Sequence, residues 1–371
     1  MNRNKMVAAS GLLVLIISII ISACGKEGVS ATSDFDRKAM LQNYADNLIK
    51  PAFSDLQLKV NTLKTASDAF TLAPNVAKLT TMQTAWDQAY SSWMYANSFN
   101  FGPAGDEGIR KGLVEEIGTW PVNTTTVESN IVANNTAFSE FNRDNRGLNA
   151  IEYLIYSDGN NSNTVIAFNN SANRKNYLSA LVSKLKLQVD GVATEWNTTY
   201  AATFVSRNGT DVGSSTSQMY NEFVRSFESI KNFKVGLPLG KRIGQTAAEP
   251  GKVEARYSKQ SLKYIRLHLK SLEDCWYGRS KTGTDGIGWR EYLDFVTGGK
   301  DLIIKTETQM AAYNAALNAI SLSASLEQEV SSNNAALALL HTELQKQIRF
   351  YKSDMSSLLG IAITFSSGDG D

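Results

Sequence analysis

The sequence predicts an all-α protein of long helices, and three observations carry that prediction. Apolar residues recur at steps of three and four through most of the chain. Only six prolines occur in 371 residues, which favours long helices over a loop-rich fold. No run of strict apolar–polar alternation marks a strand. The chain is 43% hydrophobic and 20% charged, so it has material for a core and one or two domains. Lys and Arg number 37 against 36 for Asp and Glu, which leaves no excess charge to argue for nucleic acid. The two histidines, His268 and His341, weigh against any mechanism that needs a cluster of imidazoles.

The N-terminus reads as a targeting segment. Arg3 and Lys5 precede an apolar run from Met6 to Ile21, and Ile21-Ser22-Ala23-Cys24 resembles a bacterial lipobox. A transmembrane anchor is the competing reading, but the run is short and ends in small residues and a cysteine. Residues 1–23 are therefore expected to be a lipoprotein signal peptide, with lipid on Cys24 holding the chain to a membrane of the bacterial envelope, periplasmic or surface-exposed. Cys275 is then the only free thiol, and no intrachain disulfide can form. Residues 24–33 are small and polar, a flexible tether.

The helices follow in order. One starts near Asp34 and carries Met40, Leu41, Tyr44, Leu48, Phe53, Leu56 and Leu63 inward, with Pro51 expected to kink or break it. A second runs from about Asn75 to Asn97 on Leu79, Met82, Trp86, Tyr90, Trp93 and Met94. Asn100-Phe101-Gly102-Pro103 ends it, and residues 117–123, containing Trp120-Pro121, form a structured loop. Trp120 is expected to be a core anchor. Ser171 is a candidate cap for a helix on Leu178, Leu181, Leu185, Val189, Val192 and Trp196. The Gly-, Ser- and Asn-rich stretch 207–215 is the best boundary, separating residues 34–206 from 214–365. Beyond it Met219, Phe223, Phe227, Ile230 and Phe233 make a stripe, interrupted at 236–240. The segment from Pro250 to Ser261 is expected to open a helix through Ile265, His268, Leu269, Leu272 and Trp276. Ser325 and Gln328 suggest a capping box for the last long helix, on Leu337, Leu340, Leu344 and Ile348. His341 lies beside that stripe as a boundary residue.

Between the Trp120-Pro121 loop and the helix after Ser171 lies Arg146-Gly147-Leu148-Asn149-Ala150-Ile151-Glu152-Tyr153-Leu154-Ile155-Tyr156. Its apolar spacing is helical, which sets Asn149 and Glu152 one turn apart on one face. Two readings stand: a satisfied polar pair inside a helical core, or a ligand or metal site. Glu254, Ser258 and Ser261 are four and three apart and are expected on one face of a helix start, where free N–H groups and positive dipole gather. That pattern suits a site and also suits ordinary first-turn chemistry.

The 147–155 string resembles the Gly-x-His-x-x-Glu motif of imelysin-like proteins, also classed as the M75 peptidase family. Gly147 and Glu152 match, and Asn149 replaces the histidine. The 100–103 break, the Trp120-Pro121 loop, the Glu254-x-x-x-Ser258-x-x-Ser261 spacing and the Gly360–Asp371 end are similar to the family as well; Asn123 stands where its aspartate is usual. The resemblance implies two helical-bundle domains with a site near their junction. That site would draw on Asn149, Glu152 and Asn123 from the first, and on Glu254, Arg256, Ser258 and Ser261 from the second. Arg256 is expected to pair with one of the carboxylates. Glu152 is the candidate metal ligand, for iron or calcium. A metallopeptidase would need about three protein ligands and an open position. An asparagine oxygen serves calcium or magnesium better than zinc or iron, and no His-Glu-x-x-His or Ser-His-Asp set is evident. The resemblance implies a link to iron uptake; with the lipobox, the lost histidine and the balanced charge, the expectation is a non-catalytic, lipid-anchored envelope protein that binds iron or another ligand for an uptake-system partner, without nucleic acid. A metallopeptidase and a scaffold with a decayed site are the alternatives.

Overall fold

The computed structural model describes residues 34–365, apart from 108–110, 140 and 322. The signal peptide, Cys24 and the tether lie outside the described residues. Within them the elements are α-helices with short 3₁₀ and π segments, and no strand element occurs. From Arg37 onward the chain is one compact unit, and the 207–214 stretch is a loop inside it.

The first layer is a helical hairpin, Lys50–Leu72 and Val76–Ala96, backed by Ala172–Glu195. Phe53, Leu56, Val60 and Leu63 from the first helix, and Leu178, Leu181, Leu185 and Val189 from the third, are all fully or almost fully buried. Each large apolar side chain so placed contributes roughly 1.5–3 kcal/mol relative to exposure. Asn75 and Ser171 cap their helices through Lys78 N–H and Arg174 N–H. The second layer holds Ser215–Ser229, Ser261–Tyr277, and the pair Gly299–Asn318 and Ala335–Arg349. The layers meet along Val76–Ala96 and Ser261–Tyr277, where Tyr90 and Tyr264 stack at 4.2 Å.

Three expectations are corrected. Pro51 does not break its helix: Tyr44–Ile49 winds as a π-helix, Lys50 N–H reaches back to the Ala45 carbonyl, and Pro51 sits in the first turn of the next segment. The wider turn accommodates a ring that has no N–H to give. The Ser325–Gln328 capping box is present, but it opens a six-residue helix, Leu326–Ser331. Asn333 then adopts φ 53°, and the long helix starts at Ala335, capped by Asn334. In the 219–233 stripe, Ile230–Gly236 is also a π-helix, so one extra residue per turn shifts the phase. Phe233 ends 41% exposed beneath the Arg242 guanidinium, and Lys234 turns inward.

Candidate functional site

The helix Gly147–Tyr156 packs against Val76–Ala96 and Ala172–Glu195 and buries both polar residues of the motif, each 1% exposed. Gly147 begins it at φ 77°, and a Cβ there would lie 2.5 Å from the Ile117 carbonyl oxygen. Only glycine allows that conformation at that approach. It brings the helix against the Leu113–Gly118 helix and the Trp120 loop.

Asn149 is held through its amide nitrogen. Its Nδ2 donates to the Gly118 and Thr119 carbonyls, both at 3.3 Å, and its Oδ1 lies 3.2 Å from the Tyr90 hydroxyl, whose one proton goes to the closer Glu254 carboxylate. A side-chain amide has two N–H donors for two carbonyls, whereas a neutral imidazole has one. Asn149 thus fixes the backbone just ahead of Trp120.

Glu152 faces residues 253–260, and here the helix expected from Pro250 to Ser261 is corrected. Ala255 and Lys259 adopt φ 49° and 62°, so the segment folds as successive turns and the helix begins at Ser261. Glu254, Ser258 and Ser261 therefore do not line one helical face. The turns instead present main-chain N–H groups, as anion-binding nests do. Ser258 N–H donates to Glu152 Oε1 at 2.7 Å, while the Ser258 hydroxyl donates to the Ala255 carbonyl within the turn at 3.3 Å. Burial nonetheless dominates, and with the nearby Glu254 carboxylate it raises the Glu152 carboxyl to about 7.

Glu254 stands on the far side of Tyr90. The Tyr90 hydroxyl donates to Glu254 Oε1 at 2.8 Å, and Lys234 Nζ forms an ion pair with Oε2 at 2.8 Å. Both partners of the pair are about 98–99% buried, and desolvation lowers the Lys234 ammonium from its ordinary range. Lys234 Nζ also touches Met94 Sδ at 3.2 Å. Ser261 Oγ donates to the Glu254 main-chain carbonyl and pins the turn. Asn149, Tyr90, Glu254 and Lys234 thus form one connected wall, with Glu152 and Ser258 against it.

Two expected members are elsewhere. Arg256 is exposed and forks onto Glu327 at 2.7 Å, not onto Glu152 or Glu254. The turn that aims residue 254 inward aims residue 256 outward. Asn123 is also exposed: it caps the Thr124–Val132 helix through Thr126 N–H at 3.0 Å. Tyr90 and Lys234 were not singled out as site residues by sequence reasoning. A tyrosine hydroxyl in an apolar stripe, and a lysine four residues beyond buried Ile230, were the available signals.

Trp120 is also corrected from core anchor to cavity wall. It is half-buried, Lys234 Nζ lies 5.9 Å from its ring centre, and its indole N–H is buried without a hydrogen-bond partner. It borders a cavity of about 370 Å³ that shares Gly118, Thr119, Lys234 and Glu254 with the wall. Deeper in, His268 is fully buried and its Nε2 lies 2.7 Å from Ser226 Oγ. Burial, aided by Lys234, holds its pKa well below the usual imidazole range. His341 is pushed down to about 4 by burial and by Lys231 and Lys241.

Iron or zinc would need several soft or anionic donors with free lone pairs. At the motif, Glu152 Oε1 already accepts a protein hydrogen bond, Asn149 offers only a neutral amide oxygen, and Glu254 is matched by Lys234. Among the described residues, no group of three His, Cys, Asp or Glu is placed to hold a metal ion. The donor set does not fit a metal held through Glu152. No helix among the described residues is long and apolar enough to cross a membrane.

A family model described as Imelysin, Peptidase_M75, matches residues 49–351. A protein provisionally described as an iron-regulated protein A precursor, from Parabacteroides distasonis ATCC 8503, superposes with a TM-score of 0.72 at 15% identity, over 90% of this chain and 97% of that one. An imelysin-like protein from Psychrobacter arcticum 273-4 superposes with a TM-score of 0.68 at 18% identity, over 90% of this chain and 98% of its own. No curated protein matches the chain.

Proposed function

The chain belongs to the imelysin family, and from that premise we propose that it is a non-catalytic binding protein of the bacterial envelope, anchored by lipid on Cys24 and serving uptake of iron or another ligand with a partner protein. The observation that carries this reading is the commitment of the motif's polar groups to the protein itself. Asn149 holds two carbonyls, and Glu152 is held by the 255–259 turns. Groups turned to protein partners in this way are poorly placed to activate water or to complete an open coordination sphere. The wall they form stands behind a cavity of ligand size, and the cavity is where a ligand would sit. The link to iron rests on the description of the Parabacteroides relative, and the donor set favours a ligand other than the bare ion.

The test compares wild type with Asn149→His and Glu152→Gln by elemental analysis, calorimetry with iron, zinc and calcium, and proteolysis assays. Wild type is expected to bind none of the three tightly and to cleave nothing. Robust metal-dependent proteolysis by wild type, lost in Glu152→Gln, would favour the peptidase reading and sink this one. Tight metal binding by Asn149→His alone would mean that the substitution at 149 removed a metal site.

A further inference from the structure

We propose that the cavity bordered by Trp120 takes a small organic cation, an ammonium-bearing molecule with an apolar body and a hydrogen-bond acceptor. The inference rests on the binding-protein reading and specifies its ligand. At about 370 Å³ the cavity lies within the size range of small-molecule sites, roughly 300–1,000 Å³. Trp93, Trp120 and Phe233 give it broad aromatic surface, which suits an apolar body and attracts cations through the ring faces.

Charge decides the class. Four carboxylates, Glu115, Glu222, Glu228 and Glu254, line the cavity against two cations, Arg225 and Lys234. Both cations are engaged: Lys234 with Glu254 at 2.8 Å, and Arg225 with Glu222 at 2.6 Å. Glu228 is paired with Lys352 at 3.2 Å. Glu115 is the poorly compensated member. Its half-exposed carboxylate lies 3.9 Å from Arg143, which sits closer to Glu116 at 3.0 Å. An incoming anion would have to displace a buried carboxylate from its cation. An incoming ammonium meets Glu115 at the rim, a carboxylate whose nearest paired cation, Arg143, is 3.9 Å away and held closer by Glu116. The buried Trp120 N–H has no acceptor in the protein. A ligand oxygen would supply one and remove the cost of leaving that donor bare.

Three probes of one skeleton separate charge from shape: tyramine, tyrosol and para-hydroxyphenylacetate. Each carries a phenol oxygen, and they differ in charge at the other end. Titration of the full chain by calorimetry and ligand-observed NMR is expected to rank tyramine roughly tenfold tighter than tyrosol, with the acid weakest. Glu115→Gln, a change at an exposed position, should shrink that preference severalfold. Trp120→Phe keeps a ring, loses the N–H and should weaken all three probes severalfold. Equal or tighter binding of tyrosol or the acid would overturn the cation class and leave the binding-protein reading standing. Absence of binding by all three, or indifference to Trp120→Phe, would overturn the cavity inference. The binding-protein reading falls by a separate measurement, metal-dependent proteolysis, which no probe titration reports.

Discussion

The two sides of the Gly118–Trp120 backbone differ sharply. On one side Asn149, Tyr90, Glu254 and Lys234 close a chain of contacts that runs from two main-chain carbonyls to a buried ion pair. On the other, the Trp120 N–H meets no partner, and the Glu115 carboxylate stands at the rim of open space with only a distant share of Arg143. A residue pattern that looks like a site has become the frame, and the space the frame supports is the better candidate for recognition. Buried polar groups that satisfy one another specify a conformation, while groups left unsatisfied at a cavity are available to a ligand.

The largest test of that contrast is Lys234→Ala, which strands the Glu254 carboxylate in the interior. Unfolding by denaturant should show a loss of about 3–5 kcal/mol, and the double variant Lys234→Met/Glu254→Gln should recover most of it. A single-variant loss below about 1 kcal/mol would mean that the wall does not depend on the pair. A smaller effect sharpens the role of Glu152. Its carboxyl is raised from an ordinary 4.5 to about 7 in the folded chain. Between those values the unfolded chain loses the proton while the folded chain keeps it. Stability that is full below pH 4.5 therefore falls as the pH rises through about 7. Glu152→Gln should flatten the stability–pH profile across that window by up to about 3 kcal/mol. A slope equal to wild type would place the titration elsewhere, with Glu222, also raised to about 7 by burial, the next group to substitute. The smallest effect is expected at Asn123→Ala, about 1 kcal/mol from the lost helix cap, with no change in tyramine binding. Altered probe affinity there would return residue 123 to the site.

Much of the frame was legible in the sequence. The stripes on 79–94 and 178–192 fall in buried helices because a buried face needs a side chain every three or four residues and nothing else. The Asn149–Glu152 pairing was legible for the same reason, as was the meeting of residue 152 with 254 and 258, through the family resemblance. What local spacing could not carry was backbone that leaves the 3.6-residue period. The left-handed Ala255 and Lys259 undo the expected helix, and the π turn at 230–236 exchanges Phe233 for Lys234. Non-glycine residues show no sign of such a conformation in their side chains. Nor could spacing show that Arg256 has a closer carboxylate in Glu327, 71 positions on.

Glu152 is gripped through the main-chain N–H of Ser258. The serine hydroxyl is turned to the Ala255 carbonyl, and any residue other than proline brings the same N–H to the same place. What must be inherited at this spot is a bend in the chain, not a letter in the sequence. Substitutions at 258 can accumulate while the contact persists, and a search for this site by matching residue types would pass over chains that keep the bend and spell it differently.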